Sequence, residues 1–191
     1  MTAFTIADPG MAAALISGRK TQMRVVLASP LAQAAQGDRI WVREACIVAR
    51  YKAGKIYATS LAKAELAIFS DGWRQRRDGG VERGRRPTDP AYRWITAMRM
   101  PRWASRTTLV VEWVRTERLQ QIRRADIRAE GARPVLGGLL WRWPRPIPGL
   151  HRNSRQAFAR YWNIHHSAAG ERWQDDPLVV VLGFRLETPA A

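Results

Sequence analysis

The sequence predicts a small mixed α+β domain of five or six strands, three helices and two insertions. Three observations lead there. The 191-residue chain is 46% hydrophobic and 25% charged, a composition that folds by itself with room for one ordinary core, so residues 1–191 are expected to form a single domain. Helical periodicity is confined to three short stretches, near 9–17, 122–130 and 154–165. Between them lie runs rich in Val, Ile, Thr and Trp that alternate with the two-residue period of strands.

Taken in order, Thr2 to Ile6 alternates loosely and reads as a first strand. Asp8-Pro9 then offers a capping side chain followed by proline at the first helical position. Met11, Leu15 and Ile16 share the apolar face of this helix, and Gly18 stands at its C-cap. Thr21 to Leu27 is a strand, which puts Arg19-Lys20 in a tight helix-to-strand turn. Gly37-Asp38 marks another turn, and Arg39 to Glu44 alternates Ile40 and Val42 against Trp41 and Arg43. From about 58 to 91 the period is lost: Asp71 to Pro87 carries six arginines among glycines and reads as a long, basic, mobile insertion. Thr107 to Thr116 is a long strand with Leu109, Val111 and Trp113 on one side. Ile122 to Glu130 is helical and closes on Gly131, a second C-cap glycine. Residues 132–151 hold four prolines and two tryptophans and read as a second insertion. Ser154 to His165 places Phe158, Tyr161 and Trp162 on one helical face as core, and Pro177 to Leu186, with the run Leu178-Val179-Val180-Val181-Leu182, suits a buried last strand.

Charge is the strongest compositional signal. Lys and Arg number 32 against 16 Asp and Glu, a net charge of +16. Four of the cations are lysines, so 28 are arginines, whose planar forks suit phosphate and base stacking. A GC-rich codon bias accounts for Arg over Lys, yet not for a two-fold excess of base over acid. A polyanionic partner follows, namely RNA or a single strand. No apolar run approaches the ~18 residues that cross a bilayer, and Met1-Thr2-Ala3-Phe4 lacks a signal-peptide layout, so no membrane contact and a cytoplasmic address are expected. Cys46 is the only cysteine, which excludes an internal disulfide and a multi-cysteine zinc site. His151, His165 and His166 have no metal spacing, and no glycine loop suits a nucleotide phosphate, so neither metal nor cofactor is expected. Met98 to Arg106 is more specific: Arg102 and Arg106 flank Trp103, a cation and ring arrangement that holds single strands. Equally, Trp103 packs as a lid with both arginines solvated.

Gly18-Arg19-Lys20-Thr21-Gln22, the Gly37 to Glu44 strand, Met100-Pro101-Arg102-Trp103-Ala104-Ser105-Arg106, the stretch from Arg118 to Gly131, and the closing Trp162 with Val179 to Phe184 together resemble the ASCH-domain family. The likeness is strongest to phage- and prophage-associated members and covers the chain apart from its two insertions. It implies a small PUA-like β-barrel with flanking helices and a cleft floored by the Gly-x-Lys loop. Members of that superfamily bind RNA or recognise modified bases, and some ASCH proteins are enzymes. Their acetylcytidine amidohydrolases use a lysine, a threonine three residues on and a later glutamate. Lys20 and Glu130 match, but Met23 stands at the threonine and Val25 at a family arginine, with Arg24 one place out of register. A thioether cannot attack an amide carbon. ASCH ribonucleases are the other branch, for which Lys20, Glu130, Tyr92, Arg102 and Arg106 offer candidate groups.

The leading expectation is a nucleic-acid-binding module that holds RNA, a single strand or a modified nucleotide in a basic cleft. Arg19, Lys20, Thr21, Arg24, Arg43, Arg102, Trp103 and Arg106 are its expected contacts. The alternative is a ribonuclease or amidohydrolase, with Lys20 stabilising charge and Glu130 as general base. A buried Lys20–Glu130 ion pair with no catalytic part is a further reading, as is an adaptor that binds protein through its nine tryptophans.

Overall fold

The computed structural model describes residues 3–144 and 147–187. Thr2, the expected head of the first strand, lies outside the described residues, as do positions 145 and 146 of the second insertion. The described strands are β1 (Ala3–Ala7), β2 (Gln22–Val26), β3 (Arg39–Glu44), β4 (Cys46–Lys52), β5 (Lys55–Ala58), β6 (Leu66–Ile68), β7 (Trp73–Arg76), β8 (Val81–Arg83), β9 (Trp94–Ile95), β10 (Thr108–Arg118), β11 (Arg133–Val135), β12 (Leu140–Arg142) and β13 (Leu178–Leu186). The α-helices are α1 (Pro9–Ile16), α2 (Arg124–Ala129) and α3 (Ser154–His165). The class is α+β, consistent with a small β-barrel with flanking helices. No helix among the described residues is long and apolar enough to cross a membrane.

The chain gathers into two compact units. Among the described residues, the first takes residue 3, residues 10–40, 109–144 and 147–187; the second takes residues 4–9 and 41–108.

In the first unit β13 lies between β10 and β2, antiparallel to both, so Leu182 faces Val114 on one side and Met23 on the other. Val179, Val181 and Leu182 are fully buried, as a β-branched run in a central strand should be. The register slips between Val111 and Trp113. This bulge corrects the expected face of Leu109, Val111 and Trp113: the first two are buried, while Trp113 is turned half out and its ring lies over Gly183. A Cβ at Gly183 would sit 2.0 Å from that ring, so the position demands glycine. On α1, Met11, Ala12, Ala14 and Leu15 are buried and Ile16 is exposed, one position off the expected face. Helix α3 packs on α2 and β12. Phe158 and Trp162 are buried, with Trp143 edge-on to Phe158 at 5.6 Å between centroids, which makes this face core. The expected irregular second insertion contains a hairpin, β11–β12.

In the second unit five strands pair in the order β5–β4–β6–β7–β8, with β9 also on β4, and β1 lies beside β3. Trp41, Cys46, Val48, Ala67 and Phe69 share one buried cluster, while Ile47, Ala49, Leu66 and Ile68 share another. Both faces of β4 are therefore covered, which is why Cys46 to Ala49 is apolar without alternation. The arginine-rich stretch is not the irregular loop expected from its composition. It folds as β7 and β8, where Trp73 faces Arg83 and Arg74 faces Glu82 across the hairpin. Strands of three or four residues are too short to show a period, and arginine hides the alternation.

Candidate nucleic-acid interface

The site grows from the end of α1. Gly18 is left-handed (φ 68°), and the N–H groups of Gly18, Arg19 and Lys20 donate to Leu15 and twice to Ala14, closing the helix tightly. The Thr21 N–H donates to the Ala129 carbonyl at 2.8 Å, which ties the turn to the end of α2. Two consecutive cations are thereby sent to different surroundings.

Lys20 turns inward. Its Nζ donates to Oε2 of Glu130 at 2.7 Å and to the Glu130 carbonyl at 3.1 Å, and both residues are buried. Arg24, also buried, donates from Nη1 to Oε1 of Glu130 at 2.9 Å and from Nη2 to Oε1 of Glu117 at 2.6 Å. Asp126 stands 3.6 Å from the same Nη2. Arg115 completes the cluster with bonds of 2.9 Å to Glu117 and to Asp126. Burial would raise the Asp126 pKa, but the Arg123 N–H and the Arg115 and Arg24 charges outweigh it and hold the carboxyl below its ordinary value. Three cations meet three carboxylates, and the formal charges cancel. Both Glu130 oxygens are occupied by cations, so a general base would first have to give up an ion pair. Met23 is buried opposite Leu182, as core packing.

Arg19 turns the other way. With Gly18 and Thr21 it lines a cavity of about 530 Å³ whose remaining wall comes from α2 and the chain after it, including Arg128 and Arg133. Among the described residues the lining contains no carboxylate, and none of the three arginines has an ion-pair partner. Burial first, and then the charge of Arg133, push the Arg19 guanidinium below its ordinary value, and its buried Nε has no hydrogen-bond partner. Helix α2 supplies the shape. Arg124 and Arg128 are four residues apart on its exposed side, and Ala125 and Ala129, each next to one of them, line the groove with small side chains that leave it open. Ala125, Arg128 and Pro134 also line a second cavity of about 510 Å³ that runs on to Trp141, over whose ring Arg124 sits at 5.0 Å. One groove thus presents Arg19, Arg128, Arg133 and Arg124 in series. The sequence reading found Arg19 and Thr21 and missed the others. The signal was there in the pair Arg124/Arg128 beside small residues, but the stretch was read only as a helix leading to Glu130.

The remaining predicted residues lie in the second unit. Arg43 lies against both the Phe4 and Trp41 rings, at 4.0 and 4.4 Å from their centroids, and its Nη1 donates to the Met98 carbonyl at 2.9 Å. Arg102 is exposed, with its guanidinium 5.2 Å from the Trp41 ring centroid. Trp103 packs half-buried against the core cluster. Arg106 does not face solvent: it makes a bidentate pair with Glu44 at 2.9 and 2.7 Å and reaches Asp71 at 2.7 Å, with its side chain 5% exposed. Burial alone would lower its pKa, but the Glu44 and Asp71 bonds raise it above its ordinary value. Tyr92 packs on the second core cluster and donates its hydroxyl to the Ile56 carbonyl. Of the candidate ribonuclease groups, Lys20 and Glu130 belong to the first unit and Tyr92, Arg102 and Arg106 to the second.

No family model and no curated protein matches the chain. Among solved structures it is similar to a DUF984 protein from Enterococcus faecalis, at 10% identity over 100% of this chain and 85% of that one, with a TM-score of 0.45. At that level the likeness carries no functional argument.

Proposed function

We propose that this protein is a nucleic-acid-binding module, of the ASCH and PUA-like kind its motifs resemble, which holds RNA or a single strand in the arginine groove of its first unit. The observation that carries the reading is the 530 Å³ cavity lined by Arg19, Arg128 and Arg133 with no carboxylate among its described lining. Like charges gathered beside a buried, unpartnered guanidinium nitrogen raise the free energy of the empty groove, and a phosphate relieves it. The hydrolase reading gains no comparable support, because Lys20 and both Glu130 oxygens are engaged in the buried cluster.

The test is a salt series of binding to a short labelled single-stranded RNA, run beside a denaturing gel. Each phosphate contact on a single strand contributes about 0.7 to the log–log salt slope, or roughly fivefold in affinity near 0.1 M salt. The Arg19→Ala/Arg128→Ala/Arg133→Ala variant is expected to lose about 2 from the slope and about a hundredfold in affinity, with the strand intact throughout. A wild-type slope in that variant removes the groove from the reading, and shortened strands that depend on Glu130 replace binding with hydrolysis.

A further inference from the structure

The second unit carries its own array of cations, and the groove does not use them. Between Trp73 and Arg99 the chain has eight arginines and three carboxylates. Arg74 pairs with Glu82 at 3.4 Å and Arg76 with Asp78 at 2.6 Å. Arg77, Arg83, Arg85, Arg86, Arg93 and Arg99 are all exposed, and among the described residues none has an ion-pair partner. Two of these unpaired guanidinium groups lie over rings instead: Arg83 is 5.2 Å from the centroid of Trp73, its direct partner across the hairpin, and Arg86 is 5.9 Å from Trp94. An aromatic face orients a guanidinium without cancelling its charge, whereas a carboxylate does both. The hairpin and the segment after it thus present oriented, uncompensated cations. Next to them stands Trp94, 43% exposed on β9.

We infer that the β7–β8 hairpin, with the segment through Trp94, is a second contact surface for single-stranded nucleic acid. The arginines take successive phosphates, and Trp94 takes an unpaired base on its open face. Backbone cations alone would serve a duplex as well. The exposed ring selects the single strand, because only an unstacked base can lie on it. The surface adds to the proposed function and is argued from residues that the groove does not use, so each can fail alone.

The experiment compares four variants of the full chain, each first shown to melt like wild type: Arg83→Ser/Arg85→Ser/Arg86→Ser on the hairpin and the segment after it, Trp94→Ala, the groove triple, and Arg152→Ser/Arg160→Ser/Arg185→Ser, exposed and outside both surfaces, as a control for net charge. Binding to a single strand and to a duplex of the same sequence is followed across a salt series. The hairpin triple is expected to lose about 2 from the single-strand slope. Trp94→Ala is expected to weaken single-strand binding about tenfold, with the slope unchanged and duplex binding untouched. The control should keep the wild-type slope. A wild-type slope in the hairpin triple, an equal fall in the control, or a Trp94→Ala loss shared by the duplex overturns the inference. If the hairpin triple loses slope and the groove triple does not, this surface stands and the groove reading falls. A wild type that binds neither strand at low salt overturns both.

Discussion

Two sets of three cations in the first unit differ in one respect. Lys20, Arg24 and Arg115 face Glu117, Asp126 and Glu130, whereas Arg19, Arg128 and Arg133 line a cavity without a described carboxylate. The sets begin at adjacent residues, Arg19 and Lys20, so neither composition nor position along the chain separates them. Their partners do. A cation whose donors are consumed by buried carboxylates holds the fold together; one left beside like charges is available to an external anion. The net charge of +16 is informative only after this sorting, because Lys20, Arg24 and Arg106 contribute to the total and nothing to the surface.

The comparison is broken or sharpened first by Arg24→Ala. It strands Glu130 and Glu117 with part of their charge unpaired in a buried setting, and is expected to lower unfolding stability by about 4 kcal/mol in a denaturant titration. A loss below about 1 kcal/mol would mean that the cluster is surface-like and the contrast with the groove false.

Acid is the next lever. The Asp126 pKa is held below its ordinary value, as is that of Asp71, where burial opposes and the Arg106 bond prevails. A depressed carboxylate adds stability that is fully present above the ordinary aspartate pKa of about 3.9 and is lost as pH falls through the folded value. Melting temperature is therefore expected to hold from neutral pH down to about 4 and to fall below it. In Arg24→Ala that acid-dependent part should shrink, since one of the charges holding Asp126 is gone. An unchanged acid limb would contradict the assignment.

The smallest effect belongs to the groove. Arg19→Ala removes a partly buried cation that repels Arg133 and has no ion-pair partner, so stability is expected to stay within about 0.5 kcal/mol of wild type, on the stabilising side. A loss above about 1 kcal/mol would show that Arg19 is structural.

Much of the fold was legible in the sequence where an element is long enough to show its period. α1, α3, β3, β10 and β13 fall within a residue or two of the expected bounds. Gly18 and Gly131 both adopt the positive φ of helix ends, 68° and 108°. The hairpin β7–β8 was not legible, because three or four residues carry no periodicity and arginine is neutral between loop and edge strand. The Trp113 bulge depends on which residue of β13 lies across the ladder, and here that is Gly183. The site was half legible. A helix-to-strand turn with two cations could be read from Gly18-Arg19-Lys20, and the Lys20–Glu130 ion pair stood as one of the readings. What separates Arg19 from Lys20 is Glu130, and what neutralises Arg24 is Glu117 and Asp126, all brought in from about a hundred positions away by β10 and α2. Single-sequence patterning does not contain that pairing.

The most direct test of the central claim sets Lys20→Met against the Arg19→Ala/Arg128→Ala/Arg133→Ala variant, reading thermal stability and the salt slope of single-strand binding on the same samples. The account predicts a crossed result: Lys20→Met melts well below wild type, yet below its own transition binds with the wild-type slope, while the triple variant melts like wild type and loses about 2 from the slope. A Lys20→Met protein that melts normally and binds no strand would put the site in the buried cluster and contradict the account.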